Sequence, residues 1–274
     1  MQISWPNLKK CSMVSGRSAL GLAFLFFSFE ASLLAATPPT LRTKLVRDLE
    51  ARRGTQFEKL VQNWQKNHGT QVVAPLLSIA SDKTFKDADR YIALMAAAKI
   101  GGRATSAPIS EYLKDKSWMI RCGALRALRG LRDTPTANLI LPLLKDRAMV
   151  VRSEAVAAVR DLQPQGASSA LAEALSLPEN FHAGRALWVP FEAAGALIEM
   201  AKAELRAPGA KDISLPASWR VVAKTFITTI EKHKNDARLA ERLAAGLDLI
   251  IGKAPSAAAT LPERLSYWKK SLAQ

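Results

Sequence analysis

The sequence predicts an all-α fold: a solenoid of stacked antiparallel helix pairs. Three observations predict it. Residues 88–100 (ADRYIALMAAAKI), 119–131 (MIRCGALRALRGL) and 150–162 (VVRSEAVAAVRDL) recur at an interval of 31 positions. A fixed period in this range is the signature of a stacked repeat array. Within one copy, Ile120, Ala124, Ala127, Leu128 and Leu131 fall at i, i+4, i+7, i+8 and i+11, the spacing of a helix with one buried face. Hydrophobic residues make up 49% of the chain and are mostly Ala and Leu, so the alternating β-branched and aromatic runs of a sheet are scarce.

The match extends over the whole period. Arg90, Arg121 and Arg152 align, as do Ala93, Ala124 and Ala155, then Ala96, Ala127 and Ala158. Further along, Ile109, Ile140 and Leu171 align, followed by Leu113, Leu144 and Leu175. Asp115 and Asp146 each stand six residues before an arginine. One period therefore reads as two helices. The longer spans 118–131; the shorter, 136–145, starts near Thr136 and is dented by Pro142. The aligned alanines let neighbouring helices approach closely, which each pair needs in order to bury its face on the next.

In chain order, residues 1–36 come first. Lys9, Lys10 and Arg17 precede an apolar run at Ala19–Phe29, and Ala35-Ala36 precedes Thr37-Pro38-Pro39. This is the pattern of an export signal. The alternative is an uncleaved anchor over 18–36, close to the minimum length for a bilayer span. Both readings put the folded part outside the cytoplasm, in the periplasm or cell envelope, and Met13 is a second possible start. Residues 37–82 hold the N-terminal helices and a degenerate first repeat: 41–65 reads as one or two helices with Gly54 as the break, and 70–81 as an outer helix. The repeats occupy 83–206. A fourth copy, VPFEAAGAL at 189–197, matches 151–159 only at an offset of 38, with Pro190 in place of the arginine. Proline suits a first helical turn, where its missing N–H costs nothing. The extra residues fall in 176–186, read as an enlarged loop. Residues 207–274 lose the period; helices near 217–233, 236–251 and 262–272 are expected to cover the last repeat as a C-terminal cap.

The motif carried by Asp115, Ile120-Arg121, Ala124, Ala127-Leu128 and Leu131, and again by Asp146, Val151-Arg152, Ala155, Ala158-Val159 and Leu162, resembles HEAT repeats, most of all the short bacterial kind first named from phycobilin lyases. The resemblance implies a right-handed α-solenoid whose second helices line a concave surface. It also implies that Arg90, Arg121 and Arg152 form a structural ladder, pairing with Asp115, Asp146 or backbone carbonyls of a neighbouring repeat. Fold resemblance leaves function open, because such scaffolds serve binding proteins and enzymes alike.

Opposite the buried stripe lie Cys122, Arg126 and Arg129, with Ser153 and Arg160 one repeat on, Tyr91 one repeat earlier and Trp118 at a loop edge. Tyr91, Trp118, Arg126, Arg129 and Arg160 are the candidate binding residues, since arginine with aromatics suits carboxylate or phosphate recognition. The chain carries a net charge of +15, and +13 without residues 1–36, which favours anionic partners. The expected partner is an acidic protein, bound by a non-catalytic scaffold. A nucleic-acid-binding relative of DNA-alkylation glycosylases is the alternative, and membrane contact is expected only through an uncleaved N-terminal segment. No catalytic residue, metal site or cofactor is predicted. His68, His182 and His233 are scattered, no phosphate loop or Gly-x-Ser-x-Gly occurs, and the His-Glu pairs of HEAT-like iron hydroxylases are missing. His182, beside Arg185 and Trp188, is the one histidine in a suggestive place. Cys122 beside Arg121 reads as a packed small residue rather than a reactive thiol.

Overall fold

A computed structural model describes residues 40–52, 56–205, 215–252 and 259–273. The expected export signal or anchor at 1–36 lies outside the described residues, as does Gly54. Thr40–Gln274 form one compact unit. No helix among the described residues is long and apolar enough to cross a membrane.

The described chain is all-α apart from one two-residue β-ladder. The 41–65 region forms two helices, α1 (Leu41–Ala51) and α2 (Phe57–His68). Thr40 caps α1 by accepting from the Thr43 N–H. Then follow α3 (Val73–Ser81) and α4 (Asp87–Gly101), the first tightly packed pair. The next outer element is irregular: two 3₁₀ turns, Gly102–Thr105 and Glu111–Lys114, flank the single-turn α5 (Ser106–Ser110). It leads into α6 (Trp118–Leu131). In the following repeat the expected short helix at 136–145 is instead a 3₁₀ helix, Ala137–Lys145, before α7 (Met149–Leu162). Pro142 lies inside it, and its missing N–H and ring remove the i→i−4 bond that an α-helix needs.

Beyond α7 come α8 (Ala167–Ser176) and α9 (Trp188–Leu205). Pro190 sits in the first turn of α9 and is buried. The expected enlarged loop between them is built: a 3₁₀ turn at Pro178–Asn180, then β1 (Phe181–His182) and β2 (Arg185–Ala186), paired antiparallel. Ala183 (φ 47°) and Gly184 (φ 75°) make the two-residue turn with both φ positive, which matches the twist of a tight hairpin.

The helices form two layers. The second helices α4, α6, α7, α9 and α11 (Ala237–Ile250) pack side by side in that order. The outer layer runs from 111–114 through 137–145 and α8 to α10 (Ala217–Lys232). The C-terminal helices thus cover the array as a further pair, α10 on α8 and α11 on α9, with α12 (Leu261–Ala273) against α10. At the other end α1 packs on α3 and α2 on α4, so the two ends repeat the same arrangement. Ala93, Ala96, Ala124, Ala127, Ala155 and Ala158 are all buried between these layers. α6 and α7 end alike, on Arg132 (φ 50°) and Gln163 (φ 45°), equivalent positions in the left-handed conformation that stops a helix.

The fit of α11 can be tested at Gly246. A Cβ there would lie 2.5 Å from Phe226 Cε2 and 3.1 Å from Ile198 Cγ1. Gly246→Ala is expected to destabilise the protein by about 1–3 kcal/mol through overpacking. Gly130→Ala, at a helical site with nothing within 4 Å of a Cβ, should instead stabilise it by about 0.5–1 kcal/mol. Urea denaturation of both variants reads the contrast.

Candidate interaction face

Two sets of side chains stand on the second-helix layer. The first is buried. Arg121 donates through Nε and Nη2 to the two carboxylate oxygens of Asp146, at 2.7 Å each, and through Nη1 to the carbonyls of Asp115 (2.8 Å) and Lys116 (3.1 Å). One guanidinium thus joins the turn before its own helix to the turn before the next. Asp146 also accepts from the Ala148 N–H, and Asp115 from the Ser117 N–H, both at 2.8 Å. Arg90 makes the outward connection one repeat earlier, donating to Asp115 at 2.5 Å, while on its own side it donates to Asp87 at the start of α4 (3.0 Å) and to the Ala80 carbonyl of α3 (2.9 Å). All three ladder arginines are buried, and a planar fork with five N–H donors suits such a junction better than an ammonium.

Arg152 keeps the inner half of the pattern, donating to the carbonyls of Asp146 (2.7 Å) and Arg147 (3.3 Å). No aspartate stands one period after Asp146. The 3₁₀ turn of the insertion brings in Asn180, whose Oδ1 accepts from Arg152 Nε at 2.8 Å while its Nδ2 donates to the Ala174 carbonyl at 2.7 Å. An amide is the group that fits, because the site presents one donor and one acceptor. From there the hairpin reaches the next repeat. The Ala186 N–H donates to Asp236, the N-cap of α11, and Phe181 stacks on His233 with centroids 3.7 Å apart.

The second set lies outward and forms a chain across three helices. Tyr91 of α4 accepts from Arg126 Nη1 of α6 at 3.2 Å. Arg126 Nε and Arg129 Nη1 donate to the two oxygens of Glu154 on α7, at 2.7 and 2.8 Å. Asp161 then lies 3.4 Å from Arg129 Nε and accepts from Arg160 Nε at 2.9 Å. Of the five sequence-predicted binding residues, the structure brings together Tyr91, Arg126, Arg129 and Arg160, and it does so through two carboxylates. Trp118 stands apart at the first position of α6, 47% exposed, as does Trp188 at the start of α9. His182 and Arg185 are exposed on the hairpin.

Glu154 and Asp161, which join these arginines, lie outside the residues that the sequence pattern marks. Glu154 occupies the period position of Gly123, and an acid at a buried stacking position was the available signal. Further along, the face carries Glu192 and Glu199 of α9, then Arg238 and Arg242 of α11; Arg238 lies over the Phe191 ring at 5.6 Å. The face is therefore mixed in charge rather than uniformly basic. The hydrogen bond to Glu154, then that to Tyr91, raise the Arg126 pKa further, and that to Asp161 raises the Arg160 pKa. Arg126 and Arg160 are thus fixed cations at every accessible pH. Burial, and secondarily the Glu154 charge, push the Cys122 thiol up to about 11. No cluster of His, Cys, Asp and Glu among the described residues could hold a metal ion.

This arrangement of paired helices in two stacked layers defines an α-solenoid. The family model for HEAT repeats matches residues 73–160, from the start of α3 into α7. That stretch carries HEAT repeats, which in general mediate protein interactions. No curated protein matches the chain.

Two outcomes follow. Asn180→Ala leaves an Arg152 donor and the Ala174 carbonyl without partners, and chemical denaturation should show a loss of about 3 kcal/mol. Cys122, neutral well above pH 8, should resist iodoacetamide in the folded protein at that pH and react once urea unfolds it; rapid labelling of the native state would contradict its placement.

Proposed function

We propose that the protein is a non-catalytic interaction scaffold that binds an acidic protein segment on its second-helix face. The observation that carries this reading is the chain from Tyr91 through Arg126, Glu154, Arg129 and Asp161 to Arg160. Three arginines meet two carboxylates within this chain, and the excess lies at its Arg126–Arg129 end, since Glu192 and Glu199 of α9 border Arg160. Its arginine side chains are a third to a half exposed, at 49%, 33% and 44% for Arg126, Arg129 and Arg160. An incoming carboxylate can take up donors that Glu154 and Asp161 leave free, and arginine is suited to hold it bidentately. The cluster is held flat by helix packing, so little ordering is needed on binding. The net charge of +15 favours encounter with an acidic partner.

We further propose that the scaffold works in the cell envelope. The support is the basic stretch, apolar run and Ala35-Ala36 of residues 1–36, read as an export signal or anchor.

Affinity purification of the wild-type chain beside Arg129→Glu/Arg160→Glu tests the proposal. A partner retained at about 0.1 M salt should be released by about 1 M, where screening shortens to a few ångström. The double variant should fail to retain it while keeping its helical circular-dichroism spectrum, with a lowered melting point because a glutamate at 129 faces Glu154 and Asp161. Retention by the double variant, or binding indifferent to salt, contradicts the reading.

A further inference from the structure

An apolar groove borders the arginine cluster. It lies where α2, α4 and α6 meet, and Phe57, Met95, Ala98, Ala127, Gly130 and Leu131 line it. Its volume is about 340 Å³, room for more than one large side chain. The rim is cationic. Lys99 and Arg126 stand at the groove itself, Lys99 with its ammonium 5.7 Å over the Phe57 ring. Arg103 donates to the Leu131 carbonyl, and Arg132 follows that residue in an exposed position. Among the described residues neither Arg103 nor Arg132 forms an ion pair, and Glu58, 3.5 Å from Lys99, is the acid paired at this rim outside the Arg126–Arg160 chain.

We propose that this groove is an anchor site for a peptide segment of a partner protein, one that carries a large apolar side chain flanked by carboxylates. The inference rests on the scaffold reading above and names the chemistry of its ligand. The apolar floor takes the anchor and removes it from water. The flanking carboxylates meet Arg103 and Arg132, which form no ion pair among the described residues, and Lys99, which shares its charge with Glu58. A wholly acidic segment would leave the half-buried Phe57, Met95 and Leu131 uncovered, and an uncharged one would leave the rim unmatched. Glycine at 130 keeps the groove open: no atom lies within 4 Å of where its Cβ would stand, in the last turn of α6.

Gly130→Leu therefore plugs the groove without disturbing the fold, and Gly130→Ala is its control. A display library of random short peptides is panned on the full chain, and the enriched peptides are measured by fluorescence anisotropy. The expected result is enrichment of peptides that place Leu, Phe, Trp or Met among Asp and Glu. Gly130→Leu should weaken them about tenfold or more, the effect of losing one buried apolar side chain; Gly130→Ala should bind as wild type. Both variants should melt no lower than wild type. Failure to enrich any peptide, enrichment of basic or purely polar peptides, or full binding by Gly130→Leu overturns the groove assignment. If acidic peptides bind Gly130→Leu normally yet lose Arg129→Glu/Arg160→Glu, the scaffold reading stands and the groove alone falls. Anisotropy unchanged in both variants puts the peptide elsewhere and counts against both.

Discussion

A buried arginine that reaches across from one repeat to the next is the interaction on which the architecture depends. Each helix pair is too thin to bury its own apolar face, so its stability lies in the contact with its neighbour. The buried alanines bring the second helices close, but apolar contact alone does not fix how far one helix slides along another. The guanidinium does. Arg121 is satisfied only when two carbonyls before its own helix and the carboxylate before the next helix occupy one plane around it. That geometry sets the start of α7 against the start of α6, and Arg90 does the same one repeat earlier. Because the helix starts are fixed, so are the side chains projecting a few turns on. The outward chain from Tyr91 to Arg160 inherits its register from the buried ladder.

The break after α8 obeys the same rule with different parts. An insertion carries the chain away from the 31-residue period, and the aspartate that Arg152 would meet is lost. Asn180 supplies the acceptor, and its amide hydrogens meet the Ala174 carbonyl that the changed path exposes. The hairpin then leans on the following repeat through Asp236 and His233, so the insertion joins three consecutive repeats rather than interrupting them.

The sequence made the ladder legible because the same residue types return at the same offset: arginine, alanine and aspartate at a fixed period leave few other arrangements. The N-terminal pair and α10–α11 were visible as helices, but their continuation of the stacking was not, since packing on a neighbour needs an apolar face and no particular motif. The 3₁₀ helix at Ala137–Lys145 was hidden behind an apolar spacing that suits either helix type, and only Pro142 hinted at it. The outward face was half legible. The stripe opposite the buried face marks Arg126, Arg129 and Arg160 but not Glu154 and Asp161, because the periodicity of one helix carries no sign of the arginines that reach these acids from α6. The groove beside Gly130 was not legible at all, being a space between three helices.

The most direct measurement is a double-mutant cycle on Arg121→Met and Asp146→Ala, followed by urea denaturation. If the buried arginine couples the repeats, each single variant loses several kcal/mol and the pair shows a coupling energy of about 1.5–3 kcal/mol. Additivity within about 0.5 kcal/mol would contradict the account, since the two residues would then stabilise their repeats independently.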